Sequence, residues 1–478
     1  MAAPICIILR SAVAGWILSL IVTWGALAAS LALFAHVIEH GPISYALGNW
    51  TPPWGIEYRI DLLSALLLVT VSVVGALSMA FARKSVAAEV ASDRVYLFYA
   101  MYLLCFTGLM GIPITGDAFN LFVFLEIASL SSYVLISLGR DRRALMAAFR
   151  YLIMGTLGAT FYIIGVGLMY MMTGTLNIAD LAARIPDMVH VRTIQVALAF
   201  LTVGISLKLA LFPLHLWLPN AYAYAPTVVT IFLAATGTKV AVYVLIRIVY
   251  TVFGGPMIFA AMPINEMLVV LGVLSMLGGA LSAIWETNVK RLLAFSSISQ
   301  IGYMVLGVGL AQISGLAGSI VHVFNHAMIK AMLFMAIGCV VFRIGSADLV
   351  AIRGFGKRMP VTAACIVVGG LSLIGAPLTL GFITKWLLLQ GALDKGWWWV
   401  AATIVVSSLL ALVYVWRLVS AAYLYAPTDR VSTMTEAPPE MLLALVVLTV
   451  ATVVIAVDGS LIGDLAIATA KQLLGGGE

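Results

Sequence analysis

Charge is what this chain has least of. Only 10% of its 478 residues are Asp, Glu, Lys or Arg, where a soluble domain carries roughly 25%. Hydrophobic residues make up 63%, and the mean hydropathy is +1.11. A soluble globular protein is thereby excluded. No polar stretch is long enough to form a separate soluble domain, so the net charge of +6 does not point to nucleic acid. In a membrane protein a basic excess collects in cytoplasmic loops. Cysteine is scarce as well. Cys6, Cys105, Cys339 and Cys365 lie in or beside apolar runs, and no CxxC spacing occurs. That argues against an iron–sulfur or structural zinc site. The four read as small buried hydrophobes. A Rossmann fingerprint is missing too, so no cofactor is expected. No cleavable leader is expected in the first 36 residues, because the apolar run is too long and no small-residue cleavage site stands out.

What is present is a succession of apolar runs of about 20 residues, each long enough to cross a bilayer. About thirteen such spans can be drawn. They are Ser11–His36, Asp61–Ala82, Val95–Ile114, Asp117–Leu138, Ala144–Met172, Thr193–Leu211, Ala225–Tyr250, Glu266–Trp285, Leu292–Gln312, Gly315–Val341, Val361–Leu393, Trp397–Leu424 and Pro439–Val457. Alternation sorts the loops into two sets. One carries fourteen Lys and Arg, including Arg83, Lys84, Arg140, Arg142, Arg143 and Arg353. The other carries Arg59, Arg184, Arg192, Lys395 and Lys471. By the positive-inside rule the N-terminus is expected in the cytoplasm and the C-terminus outside, in the cell's inner membrane. Glu286, Lys290 and Arg291 fall in a cytoplasmic turn and read as orientation signals.

Against this background five charges stand out, each in the middle of an apolar segment. They are Glu126 (NLFVFLEIASL), Lys208 (VGISLKLALF), Lys239 (AATGTKVAVY), Lys330 (NHAMIKAMLF) and Lys385 (LGFITKWLLL). A charge at the bilayer centre costs about 2.5–3.5 kcal/mol on insertion scales, and such residues mark ion or proton paths by default. Two of the spans are also interrupted. Pro213 follows Lys208 by five residues, and Pro377 and Gly381 precede Lys385. Broken backbone at membrane depth is tolerated where it is buried in protein or lines a wet cavity. Two broken helices in corresponding halves point to an inverted-repeat transporter; the rival is a plain packing kink at each proline. The expected fold is an all-α polytopic membrane protein with two inverted repeats, each containing a broken helix.

Lysine in place of arginine is informative. Burial disfavours the charged form of any group and a nearby opposite charge restores it. A lysine can therefore be loaded and unloaded by small movements, whereas arginine stays protonated. His322, His326 and Lys330 recur at i, i+4 and i+8, within about an 80° arc of one helix. Histidine titrates near neutrality and suits a proton relay. Metal or haem ligation and packing polarity remain the alternatives for the pair. His215, just past Pro213, either gates a half-channel or caps the broken helix. Ser296, Ser297, Ser299 and Gln300 either hold water or bond neighbouring helices. Asp61 and Asp117, at span edges, are either an ion mouth or plain solvated carboxylates.

Five segments carry a resemblance: GDAFNLFVFLEIASLSSYVLISLGR (Gly116–Arg140), KLALFPLHLWLPNAYAYAPT (Lys208–Thr227), VKRLLAFSSISQIGYM (Val289–Met304), HVFNHAMIKAMLF (His322–Phe334) and GAPLTLGFITKW (Gly375–Trp386). On these the chain resembles the proton-conducting antiporter-like subunits shared by respiratory complex I, membrane-bound hydrogenases and Mrp-type cation/proton antiporters. FNLFVFLE, with the upstream Gly41–Leu68, is most similar to the D-type component of Mrp antiporters; GAPLTLGF is also similar to hydrogenase-type sequences. The resemblance implies fourteen core helices, one more than can be drawn, the difference falling before Ser11. It implies that Glu126 pairs with Lys208, that Lys208 is the switching lysine of the first half, and that Lys239 relays inward. Lys330 would link the halves, and Lys385 would occupy the equivalent place in the second. It divides the chain into residues 1–94 (N-terminal helices), 95–250 (first repeat), 251–424 (second repeat) and 425–478 (C-terminal helix and tail). It implies a non-enzymatic subunit, partnered by other hydrophobic subunits, that exchanges H⁺ for a monovalent cation, Na⁺ foremost. The alternative is a proton-pumping subunit of a redox-driven NADH dehydrogenase or hydrogenase complex.

Overall fold

The computed structural model describes residues 1–475. A short helix, α1 (Ala2–Leu9), leads into the long α2 (Ala12–His40). A two-stranded hairpin follows, β1 (Ile43–Ala46) antiparallel to β2 (Glu57–Ile60), with Ile43 opposite Ile60. Next come α3 (Leu62–Glu89), α4 (Val95–Ile114), α5 (Ala118–Ser137) and α6 (Arg143–Thr173). The starts of α3 and α5 are set by Asp61 and Asp117. Each carboxylate accepts an amide of the first turn, from Ser64 at 3.0 Å and Asn120 at 2.7 Å, which satisfies donors that a helix leaves unpaired. The short α7 (Ile178–Arg184) precedes α8 (Arg192–Leu209), α9 (Leu218–Tyr224) and α10 (Thr227–Ile246). The second half runs through α11 (Pro256–Ala261), α12 (Ile264–Trp285), α13 (Val289–Leu310), α14 (Ile313–Ile344), α15 (Pro360–Ile374), α16 (Leu380–Asp394) and α17 (Trp398–Tyr423). The chain closes with α18 (Asp429–Ser432), α19 (Pro439–Val457) and α20 (Ser460–Leu473).

Among the described residues twelve helices are long and apolar enough to cross a membrane. The pair α15 and α16 makes a thirteenth crossing, broken in the middle. These match the expected spans one for one. The largest shift is in α3, which runs to Glu89 instead of stopping at Ala82. The segment expected to be a tail also holds a helix, α20, which packs against α14 and α3.

The layout is inside-out by soluble standards. Helices α10, α13 and α14 are almost wholly enclosed, while α2, α17 and α19 expose much of their apolar surface. Outward-facing Leu409, Leu412, Val413 and Trp416 on α17 are more than two-fifths exposed. Lipid solvates such a surface, and the polar groups turn inward.

Two five-crossing units repeat. In the first, α4 packs on α5, α5 on α6, and α6 on both pieces of the broken pair α8/α9. In the second, α12 packs on α13, α13 on α14, and α14 on both pieces of α15/α16. Five is odd, so the second unit enters the bilayer from the opposite side. The repeats are therefore inverted, and the break falls in the fourth crossing of each.

Candidate functional site

The first break follows from the residues at the end of α8. Ala210 takes a left-handed conformation (φ 59) and Pro213 cannot continue the helix. The freed Leu207 carbonyl accepts the Trp217 indole N–H at 3.0 Å. Lys208 thus sits in the last turn of a helix that stops inside the bundle. Helices α6 and α8 meet backbone to backbone here: a Cβ on Gly204 would lie 2.7 Å from the Gly158 carbonyl oxygen. Lys208, one turn beyond Gly204, shares that face, and its side chain passes over Gly158 to reach α5. Its Nζ donates to Glu126 Oε1 at 3.1 Å and to Ser129 Oγ at 2.7 Å. Glu126 and Ser129 are three apart on α5 and share its face. The lysine side chain is 7% exposed and the glutamate 20%, so the glutamate opens toward the outside of the chain.

Lys239 lies on α10, which packs against both α8 and α14. It is fully buried, and its Nζ donates to the Ala234 carbonyl at 2.5 Å and to Thr238 Oγ1 at 3.3 Å. Next in line is α14. The rings of His322 and His326 lie parallel, with centroids 5.7 Å apart. His322 Nδ1 is 3.1 Å from Thr384 Oγ1, which ties α14 to α16. Neither ring nitrogen of His326 has a protein partner, nor does the side-chain amide of Gln300. Buried polar groups of this kind are where ordered water belongs. Lys330 donates to the Leu293 carbonyl at 2.7 Å and to Ser296 Oγ at 2.5 Å.

The second break uses its lysine differently. Gly375 (φ 88) and Leu378 (φ 65) stop α15. Lys385, one turn into α16, reaches back to the end of α15 and donates to the carbonyls of Leu373 at 3.2 Å and Ile374 at 2.5 Å. Its Nζ also lies 5.0 Å from the Tyr303 ring centroid. The close join depends on Gly381, where a Cβ would fall 1.8 Å from the Ser372 carbonyl oxygen. Lys208 therefore has a carboxylate partner, and Lys385 has helix-end carbonyls.

The expected charges thus stand in an ordered series across α5, α8, α10, α14 and α16. His215 is not part of its hydrogen bonding. Its ring stacks on Phe212 at 5.1 Å, its Nδ1 has no partner, and the helix-end cap, one of its two expected roles, is made by Trp217. The serines divide. Ser296 serves Lys330, whereas Ser299 bonds the Met276 carbonyl of α12 and Ser297 bonds its own helix.

Three groups differ from the sequence expectation or escape it. Lys290, expected to be a turn charge, is 6% exposed and donates to Thr227 Oγ1 at 3.1 Å. Glu89 caps α10, accepting the Thr227 amide at 2.5 Å and the Thr227 hydroxyl at 2.6 Å. Arg247 is buried near the end of α10 and pairs with Asp61. Burial alone would raise the Asp61 carboxyl, but the guanidinium holds it below the usual carboxylate range. For Arg247 the sequence does carry a signal, since it follows Lys239 by two helical turns.

Comparison with known proteins agrees with this geometry. Residues 115–411 match the family described as NADH:quinone oxidoreductase/Mrp antiporter, transmembrane. The N-type component of the NADH-quinone oxidoreductase of Desulforudis audaxviator is 43% identical over 83% of this chain and 78% of its own length. The D-type component of the Na⁺/H⁺ antiporter of Alkalihalophilus pseudofirmus is 32% identical over 81% and 77%. In three dimensions the chain superposes on a chain of an archaeal membrane-bound sulfane sulfur reductase with a TM-score of 0.91, at 30% identity, covering 99% of this chain and 95% of that one. A chain of the Mrp complex from Dietzia gives 0.89, at 28% identity and the same coverage. The protein is a multi-pass membrane member of the NADH:quinone oxidoreductase/Mrp antiporter family, an antiporter-like subunit of the Mrp and complex I type.

Proposed function

We propose that this chain conducts protons as one subunit of a multisubunit monovalent cation/H⁺ antiporter, with Na⁺ the foremost cation. The observation that carries this reading is the series Glu126–Lys208–Lys239–His322/His326–Lys330–Lys385 within apolar spans, all but Glu126 buried, since such groups are retained in a bilayer only at a cost. In this reading the Glu126–Lys208 pair switches, Lys239 and the histidines relay, Lys330 joins the halves, and Lys385 hands the proton on. Residues 95–250 and 251–424 are the two functional repeats, flanked by 1–94 and 425–478. The N-terminus faces the cytoplasm and the C-terminus the outside of the inner membrane, as the basic loops favour. The membrane potential supplies about 2.3 kcal/mol per charge per 100 mV, enough to drive cation export. Hard cations prefer oxygen ligands, and this axis is rich in amines. The cation path therefore runs through partner subunits.

A second reading, a proton-pumping subunit of a redox-driven complex, is favoured by the 43% identity to an NADH-quinone oxidoreductase component. In it the chain serves without a redox centre of its own. Purification of the native complex separates the two: flavin or iron–sulfur partners favour the second, small hydrophobic partners alone the first. For both, Lys208→Ala in the assembled complex should abolish proton flux in proteoliposomes. Wild-type flux from that variant would overturn the proton path.

A further inference from the structure

The axis lies deep in the bilayer, so protons must reach it from one face. The two faces are unequal. Toward the hairpin side, Asp61 at the start of α3 pairs with Arg247 at the end of α10, and Tyr243 accepts the Arg247 Nε–H at 3.0 Å. Cavities of about 260 and 300 Å³ reach Asp61 and Arg247 from that face, but inward of the pair the space between α3, α10 and α14 narrows between Leu66, Leu67, Ile246, Val323 and Phe324 to about 10 Å³. That is room for about one water at most, and its walls are mostly apolar.

The opposite face has its own entrance, lined by groups that hold and pass protons. A cavity of about 340 Å³ enters between the loops that carry Arg140, Asp141, Arg143 and Asn288. Glu89 and Lys290 form part of its lining. The two are joined through one hydroxyl: Thr227 Oγ1 donates to Glu89 Oε1 at 2.6 Å and accepts from Lys290 Nζ at 3.1 Å. Lys290 then leads inward along α13. One and two turns further along α13 are the Leu293 carbonyl and the Ser296 hydroxyl, and both accept from Lys330 Nζ. Three to six residues of helix advance about 4.5–9 Å along the axis, a depth within the reach of flexible lysine side chains.

We propose that the Glu89–Thr227–Lys290 cluster is the proton-uptake site that feeds Lys330 from the basic-loop face, a reading that rests on the proton-conducting function above. The transfer balances without a further reactant. A proton from the cavity neutralises the Glu89 carboxylate. The Glu89 acid then donates to the Thr227 oxygen while the Thr227 hydroxyl gives its own proton to a neutral Lys290 amine. This leaves a carboxylate, a hydroxyl donating to it, and an ammonium donating to the hydroxyl, which is the observed arrangement. Lys290 becomes neutral again by passing its proton inward to a neutral Lys330.

A purely structural cluster makes a different forecast, because Glu89 also caps α10 and balances Lys290. The assembled complex is reconstituted in vesicles, and proton flux is read after an acid pulse applied to the basic-loop face. Glu89→Gln keeps the cap but holds no exchangeable proton. Lys290→Arg keeps the charge and the donor but does not release a proton. Thr227→Val is isosteric and removes only the bridging hydroxyl, whereas Thr227→Ser restores it. Flux should fall about tenfold or more in the first three and stay near wild type in Thr227→Ser. Wild-type flux in Lys290→Arg or in Thr227→Val overturns the site. Lys208→Ala is the control. If it too conducts normally, the proton-conducting reading itself fails; if it alone is dead, only the uptake site fails.

Discussion

Lys385 does two jobs that can be pulled apart. Its ammonium serves the Leu373 and Ile374 carbonyls at the broken end of α15. In the proposed path it also accepts and releases a proton. Lys385→Met keeps the length of the side chain and removes the donor. The buried Leu373 carbonyl and the part-buried Ile374 carbonyl are then left unpaired, at about 1–3 kcal/mol for a fully enclosed group and about 2–6 kcal/mol together as an upper bound. That is a large part of a typical folding margin of about 5–15 kcal/mol, so the purified complex should lose this chain at a clearly lower temperature. Lys385→Arg should recover the heat stability, because a guanidinium can donate to the same carbonyls. It should not recover flux, because arginine keeps its proton. Thermal dissociation of the complex and proton flux in proteoliposomes read the two jobs separately. A Lys385→Met complex as stable as the wild type would refute the helix-end argument. Full flux in Lys385→Arg would refute proton exchange at this side chain.

Two further outcomes follow from the packing. Asp61 has its carboxyl held low by Arg247, so the stability it contributes is complete above a pH of roughly 4 and is lost as pH falls through the still lower folded value. Asp61→Asn should therefore be less stable than wild type at neutral pH, by about 1.5–3 kcal/mol for a charge-assisted bond. Melting curves across pH should show the two converging only in acid; a constant gap would remove the ion pair as the cause. Gly381→Ala places a methyl 1.8 Å from the Ser372 carbonyl oxygen. Since that neighbour is backbone, α15 and α16 must separate, and limited proteolysis of the assembled complex should show increased cutting near residues 375–380. An unchanged cleavage pattern would mean that the join is looser than the packing requires.

The crossings are legible in the sequence because lipid imposes a simple demand. Every backbone polar group must be satisfied within its own helix, so a span is an apolar run of fixed length. The breaks are legible for the converse reason, as Pro213 and Pro377 cannot continue a helix. The intramembrane charges stand out by their cost alone. What each touches does not follow. Glu126 and Lys208 are 82 residues apart, and short of the structure only the family resemblance brings them together. Lys290 misleads because a basic residue beside a turn looks like an orientation signal. The turn is tucked against Thr227 and Glu89, and the charge is enclosed. For His215 the sequence left two roles open, and Trp217 takes one of them, the helix-end cap.

The sequence by itself determined the membrane setting, the thirteen crossings, the two breaks and the short series of groups able to hold a proton. These depend on hydropathy, chain length and proline geometry, all of which are local. Only the tertiary structure decided that one lysine faces a carboxylate and its counterpart faces helix-end carbonyls. It alone showed that Lys290 and Glu89, read from the sequence as loop groups or not at all, line a cavity of about 340 Å³ and meet on the Thr227 hydroxyl. Such pairings depend on which helices become neighbours, and helix packing in lipid is fixed by the close fit of small residues such as Gly158 and Gly204.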